Sequence, residues 1–236
     1  MRVPILLCAF LISTAALADT YIVPMYGITS GSWYPQIAVF NPHDQPVTLW
    51  IVRAYPMVTD RCVICLGHPE ITIDAKARTV LYPFWSDEGQ YVVAGAYELE
   101  TSLPLRIETM YFGWAADEVR QRLDVAREWL PAGEHFAVAQ SGFDVRQNAV
   151  VINPNDFEIE VSVWMAPRDE NEVRITLPAR ATRMVTLRER RCGGEACLPH
   201  PDYPPPPDTV QFESPARFLG GVSSIGPSWA LFNLAE

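Results

Sequence analysis

Residues 37–51 read Ile37-Ala-Val-Phe-Asn-Pro-His-Asp-Gln-Pro-Val-Thr-Leu-Trp-Ile51, and residues 149–163 read Ala149-Val-Val-Ile-Asn-Pro-Asn-Asp-Phe-Glu-Ile-Glu-Val-Ser-Val163. Laid on one another without gaps, Asn41-Pro42 falls on Asn153-Pro154, Asp44 on Asp156, and Val47, Leu49 and Ile51 on Ile159, Val161 and Val163. Two further matches follow in the same order. Ile71-Thr-Ile-Asp-Ala-Lys-Ala77 matches Ile175-Thr-Leu-Pro-Ala-Arg-Ala181, and Pro104-Leu-Arg106 matches Pro215-Ala-Arg217. Ordered self-similarity of this kind implies duplication of a unit of roughly 100 residues, the usual size of one sandwich domain.

Within each unit the apolar period is two. Val47, Leu49 and Ile51 point one way and Thr48, Trp50 and Val52 the other, as a strand with one buried face requires. Proline fixes φ and Asn or Asp bonds its own backbone, so the Asn-Pro-x-Asp segments are turns, each expected to close a hairpin. Residues 71–73, 79–82, 91–100 and 105–112 predict further strands. The expectation is an all-β chain of two tandem antiparallel Ig-like β-sandwich domains, residues 19–114 and 131–236. Between them, residues 115–130 predict a short connecting helix: Val119, Leu123, Ala126 and Leu130 form an i, i+4, i+7, i+11 stripe, Asp117 and Glu118 suit its start, and Pro131-Ala-Gly133 ends it. The competing reading starts the next sheet within residues 125–130.

The chain has 236 residues, 49% hydrophobic and 19% charged, enough apolar material to fold. Arg2, an apolar run from Ile5 to Leu17 and the small-x-small Ala16-Leu17-Ala18 mark residues 1–18 as a signal peptide, cut before Asp19. The run is shorter than the roughly 20 residues that span a bilayer, so a periplasmic or extracellular protein without membrane insertion is expected. The net charge of −10, one unit more negative without Arg2, and the lack of a basic cluster argue against a nucleic-acid partner.

Of five cysteines, Cys8 leaves with the signal; Cys62, Cys65, Cys192 and Cys197 remain. An even count in an exported chain reads as two disulfides, with Cys62–Cys65 and Cys192–Cys197 the simplest of three connectivities. Cys62-x-x-Cys65-x-x-His68 and Cys192-x4-Cys197-x-x-His200 would also supply ligands to one zinc, but free thiols oxidise outside the cytoplasm, so no metal and no cofactor is expected. Cys62-x-x-Cys65 lacks the βαβ setting of a redox pair, and Leu66 stands where a c-type haem motif needs histidine. Serine elbows, phosphate loops and calcium loops are absent, and His43, His68, His135 and His200 fall near turns or domain edges. No catalytic set emerges, and a non-enzyme is expected.

Seven tryptophans are left to place. Trp50 and Trp164 lie opposite the apolar stripe of their strands and suit packing under a neighbouring element. Trp33, Tyr34 and Trp85 lie near predicted turns, where aromatics grip sugar rings or peptides. The paired Phe40-Asn41-Pro42 and Ile152-Asn153-Pro154 motifs, with the Ile-Thr-x-x-Ala-x-Ala and Pro-x-Arg segments, resemble uncharacterised bacterial exported proteins built from Ig-like repeats. A signal peptide followed by two such domains also resembles periplasmic pilus chaperones, although the basic pair of their interdomain cleft has no match here. The resemblances imply an exported binding or structural module with a protein or glycan partner. They leave two alternatives: a chaperone that adds a strand to another chain by β-augmentation, and a carbohydrate-binding module.

Overall fold

The computed structural model describes residues 19–25, 33–56, 70–81, 95–113, 119–123, 125–140, 145–166, 172–189, 208–225 and 230–236, with the backbone alone at 25, 33–35, 56, 110–113, 119–123, 188–189, 225 and 230. The described residues are all-β and contain no helix. Sixteen strands run in order: β1 (Asp19–Met25), β2 (Trp33–Phe40), β3 (Val47–Pro56), β4 (Glu70–Ile73), β5 (Arg78–Leu81), β6 (Gly95–Thr101), β7 (Arg106–Gly113), β8 (Val119–Leu123), β9 (Gly133–Ala139), β10 (Arg146–Ile152), β11 (Ile159–Met165), β12 (Val173–Leu177), β13 (Thr182–Glu189), β14 (Asp208–Ser214), β15 (Leu219–Ile225) and β16 (Ala230–Leu234). They form two four-stranded sheets, β1-β6-β3-β4 and β9-β14-β11-β12, and one of eight strands, β13-β10-β15-β16-β8-β7-β2-β5. Among the described residues every strand pairing is antiparallel except β8 with β16, which meet at one parallel bridge between Leu123 and Phe232.

Adding eight to each label of the first half reproduces the second. Sheet β1-β6-β3-β4 becomes β9-β14-β11-β12, and β5-β2-β7-β8 becomes β13-β10-β15-β16. Each half has its own core between a four-stranded sheet and its part of the long sheet. Tyr21, Val23, Ile37, Val39, Val47 and Leu49 belong to the first, and Ala137, Ala149, Val151, Val161, Val163 and Phe212 to the second.

The Asn-Pro turns do not close hairpins, which corrects the expectation from sequence. β2 pairs with β5 and β7, while β3 pairs with β4 and β6, so the turn carries the chain from one sheet to the other. The buried Asn41 side chain makes that crossing possible: its Nδ2 donates to the carbonyls of Gln45, Ile73 and Asp74, and its Oδ1 accepts from His43 N. Asn153 repeats the set with Phe157, Leu177, Pro178 and Asn155 N. A buried carbonyl left without a donor is costly, and one amide here satisfies three. Lys76 and Arg180, at φ 57° and 54°, hold the same left-handed position in the β4–β5 and β12–β13 turns.

The Pro-x-Arg match is two residues out of step. His43 Nε2–H donates to Pro104 O at 2.7 Å, and Asn155 Nδ2 donates to Arg217 O at 2.8 Å, so Pro104 corresponds to Arg217 and not to Pro215.

The predicted helix at 115–130 is also corrected. Residues 119–123 are strand β8, paired with β7 through Thr109–Leu123, Met110–Arg122 and Tyr111–Gln121. Val119-Arg-Gln-Arg-Leu123 alternates with period two as well as fitting the helical stripe. A helix this short is marginal in water, whereas the edge of β7 offers a row of partners. Beyond it Ala126 bridges Ile22, and Leu130 bridges Phe218 at the entry to β15.

Candidate functional site

The first half presents the outer face of its four-stranded sheet to the second half. Because Tyr21 and Val23 point into the core, Ile22 points out; Tyr55 and Ala96 share that outer face. These three and Ala126 pack on Ile152 and Leu219, with Trp129, Leu130 and Leu234 around them. Trp129 meets Tyr55 edge-on at 5.2 Å, and the buried Thr182 Oγ1 donates to Tyr55 O at 2.8 Å. The Tyr55 hydroxyl donates to Glu98 Oε2 at 2.6 Å. Burial, and then the hydrogen bond to Glu98, raise its pKa well above the ordinary value of 10.0.

On the corresponding face of the second half the β9 positions are exposed, although Trp164 on β11 is buried. Ile22 N and O bond Ala126 O and N at 2.8 and 3.0 Å; Phe136 N and O bond Glu236 O and N at 3.1 and 2.9 Å. Phe136 therefore occupies the position of Ile22, and Val138 that of Pro24, opposite Thr209 as Pro24 is opposite Ala96. Ile22 is 0% exposed, whereas Phe136 and Val138 are 47% and 51% exposed. β9 is inverted relative to an ordinary amphipathic strand: small Ala137 and Ala139 fill the core and the large side chains face water. Large apolar side chains placed side by side in water are the informative exception on a protein surface.

Polar side chains frame this face. Trp164 Nε1 donates to Gln211 Oε1 at 3.1 Å, and Gln211 Nε2 donates to Glu134 Oε2 at 2.9 Å, linking β11, β14 and β9. The outer edge of β9 is occupied: besides the Glu236 pair, Asn233 Nδ2 donates to Val138 O at 2.6 Å, and Gln140 N donates to Ser224 Oγ at 2.9 Å.

Of the residues expected from sequence, Cys62, Cys65, Cys192, Cys197 and Trp85 lie outside the described residues, as do His68 and His200. Trp33 and Tyr34 lie on β2 opposite Gly113 and Phe112, with their side chains outside the described set. Trp164 is buried on the face away from the core, and Trp50 is half-buried on the corresponding face of β3. His43 and His135 each contact a backbone carbonyl, of Pro104 and Pro131, through Nε2. Among the described residues no three His, Cys, Asp or Glu side chains gather to hold a metal ion. Phe136 and Val138 were missed because β9 is apolar on both faces, so the alternation does not say which face is buried. Comparison with family models, curated proteins and solved structures finds no match for this chain.

Proposed function

We propose that the protein is an exported, non-enzymatic binding or structural module of two tandem Ig-like β-sandwich domains, residues 19–114 and 131–236, working outside the cytoplasm after loss of residues 1–18. The single observation that carries this reading is the exposed pair Phe136 and Val138, at positions whose counterparts in the first domain, Ile22 and Pro24, are buried, Ile22 against the second. A fixed sheet face presents a preorganised surface to a partner, at little ordering cost on binding. Neither a nucleic-acid partner nor a cofactor belongs to this reading.

Recognition through the face is favoured over β-augmentation, because the edges of β1 and β9 are already bonded by Ala126 and by Glu236 and Asn233. On β12, the Thr176 carbonyl accepts from Arg183 Nη1 at 2.9 Å, which blunts that edge too. A photoreactive residue at position 136, irradiated in intact exporting cells, is expected to give discrete covalent adducts. The same residue at exposed Glu160, on the same sheet face, is expected to give none. Equal labelling at both positions, or none at 136, contradicts the proposal.

A further inference from the structure

We infer that the first half carries a separate binding site, for a short acidic sugar chain whose rings bear carboxylates, on the outer face of its part of the long sheet. Phe40 lies on β2 with Arg78 beside it on β5 and Arg106 beside it on β7. Val39 and Ile107 point into the core, so Phe40 and Arg106 point away from it, and Arg78 shares their face. Both arginines are exposed and the phenyl ring is half-buried. Among the described residues neither guanidinium pairs with a carboxylate. Asp44, in the turn that follows Phe40, is taken by Lys76 at 3.1 Å, and Glu108, the next residue of β7 on this face, does not pair with Arg106.

The duplication supplies an internal control. In the second half the same three positions are Ile152, Thr182 and Leu219, all buried, with Ile152 and Leu219 packed on the first half and Thr182 bonded to Tyr55 O. The fold therefore has no need of arginine in this row, and in a chain of net charge −10 the pair stands out as a local cationic patch. Each guanidinium is a planar fork matched to a carboxylate, and Arg presents it with less loss of freedom than Lys. Two interstrand steps of about 4.7–4.9 Å separate the arginine backbones, so both side chains reach over Phe40 to a ligand laid across it. The C–H face of a sugar ring buries apolar area on such a phenyl ring. Both edges of β2 are used by β5 and β7, so a peptide laid here finds no ladder to join. The overall negative charge opposes a long, densely charged polyanion, which leaves a short chain with one charge per ring as the ligand that fits.

Isothermal titration calorimetry of the mature protein with tetragalacturonate, galactotetraose and tetraglutamate tests this. Tetragalacturonate is expected to bind at micromolar to millimolar strength, more weakly as salt rises, and the other two at least about tenfold more weakly. Arg78→Gln/Arg106→Gln is expected to lower the affinity at least about tenfold. Arg78→Lys/Arg106→Lys lowers it about threefold or more, because an ammonium keeps the charge and loses the planar fork. Phe40→Leu, which keeps an apolar side chain and removes the ring, also lowers it about threefold or more. Circular dichroism checks that each variant folds. Phe136→Ser/Val138→Ser leaves this binding unchanged, so the site stands or falls apart from the Phe136 face. No binding of tetragalacturonate, or binding that the glutamine pair leaves unchanged, overturns the inference. Equal binding of galactotetraose overturns the role of the arginines, and equal binding of tetraglutamate overturns the sugar as the ligand.

Discussion

At the scale of single residues, the repeated asparagine is the most heavily used side chain in each half. Asn41→Ala or Asn153→Ala leaves three carbonyls without their shared donor, and each is expected to cost about 2–4 kcal/mol in chemical denaturation. Aspartate in the same place is no better, because it loses the donor and sets a carboxylate against carbonyl oxygens. Tyr55 gives a pH signature. Its folded pKa is raised, so the stability it contributes is fully present below its ordinary value of 10.0 and is lost as pH climbs toward the folded value. Thermal unfolding is expected to fall off above about pH 10 more steeply in the native chain than in Tyr55→Phe, which has no proton to lose. Asn41 and Asn153 were legible in the sequence as a repeated turn. Their role as the joint between two sheets was not, because two of the three carbonyls that each binds come from residues 24 to 33 positions away.

At the scale of elements, periodicity identified strands and misjudged their partners. Residues 37–40 and 47–51 read as the arms of a hairpin because a short turn separates them, yet each arm belongs to a different sheet. Residues 119–123 fit both periods, and the choice between helix and strand was made by the edge of β7, which local sequence does not contain. The connector that follows is held by backbone bonds. Ala126→Pro removes the donor of the Ala126–Ile22 bridge and is expected to lower stability by about 1–3 kcal/mol, against little change for Ala126→Ser. Close contact between β15 and β16 is set by Gly221: a Cβ there would stand 2.4 Å from Phe232 Cζ and 2.9 Å from Asn233 O. The ring can swing but the backbone oxygen cannot, so Gly221→Ala is expected to cost about 1–3 kcal/mol.

At the scale of the molecule, one unit occurs twice and an apolar seam joins the copies. The duplication was readable from three short segments, two of them in register. The seam was not readable, since Ile22, Tyr55, Ala96, Ile152 and Leu219 are ordinary strand residues until the topology sets them against one another. The exposed pair follows from the same asymmetry: the position of Ile22, which the second half covers, is taken in the second half by the exposed Phe136. If the seam is as continuous as its packing indicates, the halves do not unfold separately. Differential scanning calorimetry of the mature protein tests this most directly. One transition is expected, with a van't Hoff enthalpy equal to the calorimetric enthalpy of the whole chain, splitting in two when Tyr55→Ala opens the seam. Two separate transitions in the native protein, each carrying about half the total enthalpy, would contradict the account.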